Sequence, residues 1–174
     1  MVNRPATPSR HDGDPLAAAV WRALEGVADP EIPVLNVVEM GLIRRVEVAD
    51  GGRTVTVTIT PTFSGCPALQ VIEEEVAAAT KSAGADAVEV RTTMAPPWST
   101  DDMTDEARHK LEEFGIAPPA VHGGLLQIAL DAPVRCPRCG HPDTRVRNTF
   151  GSTLCREIRT CAACQETFER FKPL

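Results

Sequence analysis

From Thr54 to Thr60 a threonine alternates with a β-branched apolar residue without a break, the pattern of a strand with one wet face and one buried face. Pro61 ends it. After the loop Thr62 to Gly65, the apolar positions Leu69, Ile72, Val76 and Ala79 recur at helical spacing. Proline suits a first helical turn, so Pro67 marks the helix start and places Cys66 at its N-cap. There, unpaired backbone N–H groups and the positive end of the helix dipole would favour the thiolate, making the sulfur a nucleophile or a metal ligand. A small buried cysteine at a turn is the competing reading.

The same periodicities organise the flanks. Leu16, Ala19, Val20, Ala23, Leu24 and Val27 form one apolar helical stripe that starts at Asp14-Pro15 and stops at Asp29-Pro30-Glu31-Ile32-Pro33. The two prolines stiffen a segment displaying the carboxylates of Asp29 and Glu31, which are otherwise read as solvated acids at a helix terminator. Leu42 to Ala49 reads as a strand joined through Asp50-Gly51-Gly52 to the Thr/Val strand as an antiparallel hairpin. Gly84 closes the central helix, and Val88 to Thr92 is a third strand, parallel to the second because a helix intervenes. The expectation is a small α/β domain with helices packed on a mixed sheet and Cys66 at the carboxyl end of a strand, where open α/β sheets bind ligands. Pro96-Pro97-Trp98 leaves the third strand as a packing corner or as one wall of a site. Asp101 or Asp102 would cap a further helix carrying Met103, Ala107, Leu111 and Phe114 on one face, with Gly115 past its end.

Composition changes the picture mainly at the C-terminus. Hydrophobic and charged fractions of 43% and 24% are ordinary for a soluble domain, and no apolar run approaches the roughly 20 residues that span a bilayer. Residues 1–14 lack the apolar core of a secretory signal and read as a disordered tail, so the expected location is cytoplasmic. Net charge is −6, but residues 134–174 hold eight Arg or Lys against four Asp or Glu, a balance of +4 that leaves −10 for the rest. Within this basic segment, Cys136-Pro137-Arg138-Cys139 and Cys161-Ala162-Ala163-Cys164 form two C-x-x-C knuckles separated by 21 residues. In such a ribbon, each knuckle takes two adjacent corners of a tetrahedron and a hairpin brings the pairs together, so Cys136, Cys139, Cys161 and Cys164 are expected to ligate zinc. Thr144 to Phe150, Arg156 to Thr160 and Phe168 to Lys172 supply the strands of this all-β unit. Arg135, Arg138, Arg156 and Arg159 are placed to offset the charge of four thiolates. Cys155 is left over, and His11, His109, His122 and His141 share no ligand spacing. The resulting division is 1–14 tail, 15–119 α/β domain, 120–133 hinge with a short apolar strand at Leu125 to Leu130, and 134–174 zinc ribbon.

Residues 16 to about 93 resemble the iron-sulfur assembly domain found in bacterial SufT and in a eukaryotic cytosolic iron-sulfur targeting factor. The resemblance is carried by Asp29-Pro30-Glu31-Ile32-Pro33, Val38-Glu39-Met40-Gly41-Leu42-Ile43, the Thr/Val strand and Gly65-Cys66-Pro67. Together with Pro96-Pro97-Trp98 and a ribbon ending in Phe168-Glu169-Arg170-Phe171-Lys172, nearly the whole chain resembles the PaaD or PaaJ family, the D component of the phenylacetyl-CoA epoxidase system. Where that family places a further cysteine after the Phe-Lys pair, this chain has Pro173 and Leu174, and no extra C-terminal ligand is expected. The resemblance implies a non-enzymatic accessory subunit of a multicomponent monooxygenase in phenylacetate degradation, with the epoxidase subunits as partners. On that reading Cys66, helped by Asp29 or Glu31, transiently holds iron or an iron-sulfur cluster destined for a client. Two other classes compete: a thiol-dependent enzyme using Cys66, which needs a neighbouring base, and a zinc-ribbon adaptor or nucleic-acid binder, which needs exposed aromatics. The acidic body disfavours nucleic acid, and no membrane partner is expected.

Overall fold

The computed structural model describes residues 14–49, 51, 54–123 and 133–174. The N-terminal tail, Asp50 and Gly52 of the hairpin signal, and the apolar stretch Leu125 to Leu130 lie outside the described residues. The chain forms two compact units, Met1–Trp98 and Ser99–Leu174.

In the first unit, helix α1 (Pro15–Leu24) is capped by Asp14, whose carboxylate accepts the N–H groups of Leu16 at 2.7 Å and Ala17 at 3.4 Å. It buries Ala17, Val20, Trp21 and Leu24. The helix ends at Leu24, earlier than the apolar stripe suggests; Val27 is still buried, but in the turn that follows. The irregular stretch from Val27 to Leu42 supplies much of the core through Ile32, Leu35, Val37, Val38 and Met40. Its backbone is satisfied locally: Asn36 Oδ1 accepts from Val38 and Glu39, and Val37 N–H donates to Val27.

Strand β1 (Ile43–Ala49) pairs antiparallel with β2 (Thr54–Ile59), and β2 pairs parallel with β3 (Ala87–Thr92), in the order β1-β2-β3. Val55, Val57 and Ile59 are fully buried, each stabilising the unit by roughly 1.5–3 kcal/mol, while Thr54, Thr56 and Thr58 face the other way. Helix α2 (Leu69–Ser82) packs against α1 and β3 and buries Ile72, Val76 and Thr80. Trp98 is buried and donates its indole N–H to the Met40 carbonyl at 2.9 Å, so the Pro-Pro-Trp segment is a packing corner.

The second unit begins earlier than the sequence pattern places it. Ser99 caps a short 3-10 turn, Thr100–Asp102, in a reciprocal box with Asp102. Thr104, and not an aspartate, caps helix α3 (Asp105–Phe114), accepting the Ala107 N–H at 3.1 Å. Ala107 and Leu111 are buried, whereas Phe114 is half exposed. Gly115, at φ +91°, ends the helix and leads into β4 (Ile116–Ala117), which joins the C-terminal sheet beside β7. Strands β5 (Thr144–Asn148), β6 (Arg156–Cys161) and β7 (Thr167–Phe171) complete the order β4-β7-β6-β5. The short parallel pairing of β4 with β7 is the physical reason that residues 99–119 belong with the ribbon and not with the α/β domain. His122 is also part of this unit and not of a solvated hinge: its N–H donates to Asp101 Oδ1 at 2.9 Å and its buried ring lies 3.2 Å from Ser99 Oγ.

Candidate functional site

The four knuckle cysteines converge. Cys136, Cys139, Cys161 and Cys164 place their sulfurs within 4.8 Å of one another, the one group of three or more potential ligands among the described residues. Cys136 Sγ is 3.8 Å from Cys164 Sγ, and Cys139 Sγ is 3.6 Å from Cys161 Sγ. A zinc–sulfur bond of about 2.3 Å gives a regular tetrahedron an edge of about 3.8 Å, so the set has the size of a zinc site. Four soft thiolates and no oxygen donor suit zinc, which would hold the two knuckles together here.

The backbone explains why the thiols meet. Cys136 O accepts from Gly140 N–H at 2.8 Å, and Cys161 O accepts from Gln165 N–H at 3.1 Å. Cys136 N–H donates to His141 O at 3.0 Å, and Cys161 N–H to Glu166 O at 2.9 Å. The residue after each second cysteine is left-handed, Gly140 at φ +72° and Gln165 at φ +61°. The knuckles are thus two copies of one turn. Nothing lies within 4 Å of a Cβ placed on Gly140, so Gly140→Ala tests the left-handed backbone alone. It is expected to cost about 1 kcal/mol and to weaken zinc binding roughly fivefold in a chelator competition assay.

Backbone N–H groups also point at the sulfurs. The Cys164 and Ala163 amides bring the Cys161 thiol down to about 7. The Glu166 amide favours the Cys164 thiolate, yet burial and the three neighbouring thiols together push it up to about 12. Zinc loading on such a set displaces protons, and acid opposes it.

Two of the arginines that the spacing assigns to the thiolates are paired with carboxylates. Arg156 binds Glu169 at 2.7 Å, and Arg159 binds Glu157 at 2.7 Å while donating to Thr144. Arg138 lies against Gly115 at the carboxyl end of α3, where the helix dipole favours a cation. Arg135 donates to the Gly140 carbonyl, inside the first knuckle. Cys155 is buried, with its sulfur 3.0 Å from Thr153 Oγ1, and stands apart from the four-cysteine group.

Cys66 lies in the other unit, half-buried in the loop after β2. It is not the helix N-cap: α2 starts at Leu69 with Ala68 before it and no side-chain cap. The intervening residues turn more tightly than a helix, with Leu69 N–H donating to Cys66 O at 3.3 Å and Cys66 N–H to Phe63 O at 3.3 Å. Thr60, at the end of β2, is fully buried, and its hydroxyl makes no hydrogen bond among the described residues. The threonine alternation marks its place, but nothing in the sequence singles out that hydroxyl.

Asp29 is buried, and its Oδ1 accepts the N–H groups of Glu31 and Ile32, both at 2.8 Å. It is the brace of the Pro30 to Pro33 turn, not a solvated acid, and Glu31 beside it is half-exposed. Among the described residues, Asp29, Glu31 and Cys66 do not gather into a group of three ligands. Asp29→Ala is expected to lower the stability of the first unit by about 1–2 kcal/mol, read as a shift of the urea midpoint with unchanged slope.

An α/β domain with a loop cysteine and a four-thiol ribbon make this a two-part protein. Residues 17–92 match the iron-sulfur cluster assembly protein family, and residues 125–172 match the PaaD zinc β-ribbon domain. The chain is 39% identical, over 91% of its length and 93% of the relative's, to an Escherichia coli protein provisionally named as the D component of 1,2-phenylacetyl-CoA epoxidase. It is 44% identical over 93 residues to an Fe-S protein maturation auxiliary factor of Porphyromonas gingivalis, covering 53% of this chain and 87% of that one. A solved domain of unknown function (DUF59) from Bacillus anthracis matches with a TM-score of 0.51 and 30% identity, over 55% of this chain and 91% of that one. The chain belongs to the PaaD family. No helix among the described residues is long and apolar enough to cross a membrane.

Proposed function

We propose that this chain is an accessory maturation subunit of a phenylacetyl-CoA epoxidase system, helping to place iron or an iron-sulfur cluster in client subunits. The observation that carries the reading is that the two units of one chain carry two different kinds of sulfur site. The ribbon cysteines form a closed set of four that suits a permanent structural ion. Cys66 belongs to the other unit, is not a member of that set, and has a half-buried loop position suited to holding a cargo that must leave. The unit that carries Cys66 matches the iron-sulfur cluster assembly family, and the relative named for the epoxidase spans 91% of the chain and so both units.

Cys66 would bind the cargo iron and Glu31 would lend a second, harder donor, while Asp29 fixes the turn that presents Glu31. Thiol-enzyme chemistry is less well supported, because the first unit holds no histidine between Asp14 and Trp98 to serve as a base for Cys66. Nucleic-acid binding is left a poor stacking platform, since Phe168 and Phe171 are buried and of the three ribbon phenylalanines only Phe150 is exposed.

The direct test is anaerobic reconstitution with ferrous iron and sulfide, counted per chain. Wild type should hold iron beyond the ribbon's zinc and surrender it to a chelator, whereas Cys66→Ser should keep the zinc and lose the iron. Equal iron in both would overturn the reading.

A further inference from the structure

The loop joining β5 to β6 is held unusually firmly for one that exposes large apolar side chains. Ser152 donates its N–H and hydroxyl to the Glu169 carboxylate at 2.6 and 3.1 Å, and Gly151 N–H donates to Arg156 O at 2.9 Å. Lys172 fastens the far side, its ammonium on Thr149 O at 3.3 Å and its N–H on Cys155 O at 2.9 Å. Yet Phe150 and Leu154 on this loop are 58% and 53% exposed, and Val146 on the adjoining strand is 48% exposed. A loop whose backbone is already fixed loses less entropy on binding than a loose one, which favours its side chains as interface anchors.

The charge flanking these anchors is mainly positive. Residues 144–155 contain no aspartate or glutamate. Arg145 is 82% exposed with only a loose contact to Asp143 at 3.9 Å, Arg147 is exposed on the edge strand, and the Lys172 ammonium stands 5.2 Å from the Phe150 ring centre. Nearby Glu169 is already neutralised by Arg156. Arginines and the irregularity between Val146 and Asn148 also discourage chance pairing of an edge strand, but that role explains neither Phe150 nor Leu154.

We propose that this hairpin tip is the docking surface for a protein partner that presents apolar side chains among carboxylates. Two other occupants fit less well. A second copy pairing tip to tip would set Arg145 and Arg147 against their own kind. A nucleic acid would find one exposed aromatic, Phe150, and no use for Leu154 and Val146. The proposal rests on the accessory reading above and supplies the chemistry by which a client is recognised.

The test uses the full zinc-loaded chain and three probes: a fluorescein-labelled peptide alternating glutamate and leucine, its lysine counterpart, and a single-stranded oligothymidylate. The expected result is saturable, salt-weakened binding of the glutamate peptide alone. Arg145→Glu with Arg147→Glu should weaken it roughly tenfold, and so should Phe150→Ser with Leu154→Ser, with zinc content unchanged. The proposal is overturned if the glutamate peptide does not bind, if either double variant binds it as wild type does, or if the oligothymidylate binds in preference. Concentration-dependent self-association lost in the same variants would overturn it in favour of a second copy. None of these outcomes involves Cys66, so the iron count on Cys66→Ser judges the accessory reading separately.

Discussion

Cys136→Ser is expected to unfold the C-terminal ribbon and leave the first unit folded. Cys136 and Cys161 are ligands and core residues at once, packed with Ala117, Val134 and Phe168 in one small apolar cluster. A sheet of four short strands around so few side chains has little apolar burial to set against chain entropy. Structural zinc contributes on the order of 10 kcal/mol to such units, so weakening one of four bonds and leaving a hydroxyl in a dry site removes most of what holds the ribbon. The first unit keeps its own core of Val20, Leu24, Val55, Val57 and Val76. Circular dichroism and limited proteolysis should therefore show loss of the C-terminal strands with protection of the segment up to Trp98, and chelation of the wild type should give the same pattern. Unfolding of both units together would contradict this account.

Glu157→Ala is expected to be the most damaging single change away from the metal. Glu157 is buried and receives Arg159 at 2.7 Å and Arg170 at 3.3 Å, whose side chains are 12% and 5% exposed. Burial already lowers the Arg170 affinity for its proton, with Glu157 opposing that effect. Removing the carboxylate leaves two guanidinium groups facing each other in a poorly solvated sheet, a cost of roughly 3–5 kcal/mol. Replacing all three by apolar residues of similar volume should cost far less, because no uncompensated charge is then buried. The comparison is made by denaturant titration of the zinc-loaded chain. Equal stability of Glu157→Ala and wild type would mean that the pair carries no net energy.

Local patterns in this chain are legible wherever one period or one spacing carries the information. The Thr/Val alternation announces β2 and its neighbours, and the two knuckles announce the metal site. Where pattern and structure part, the missing information is a partner or a register. Periodicity alone leaves residues 99–119 with the α/β domain because β4 is two residues long, too short to show a period, and its pairing with β7 is set some fifty residues away. Spacing alone assigns Arg156 and Arg159 to the thiolates, because Glu169 lies on a different strand and spacing does not show the β6–β7 register that sets Glu157 opposite Arg170. A proline that favours a first turn suggests a helix cap at Cys66, whereas the chain spends two further residues in tight turns before α2. Asp29 reads as a displayed site carboxylate or a solvated acid, because a carboxylate that braces its own loop looks the same in sequence as either.

The central claim is that Cys66 serves the metallation of another protein. The most direct measurement is the iron and sulfide content of epoxidase subunits isolated from cells whose only copy of this chain carries Cys66→Ser. Folded subunits that are poor in metal and low in activity on phenylacetyl-CoA are expected, restored when iron and sulfide are rebuilt in vitro. Fully metallated, active subunits from those cells would contradict the claim.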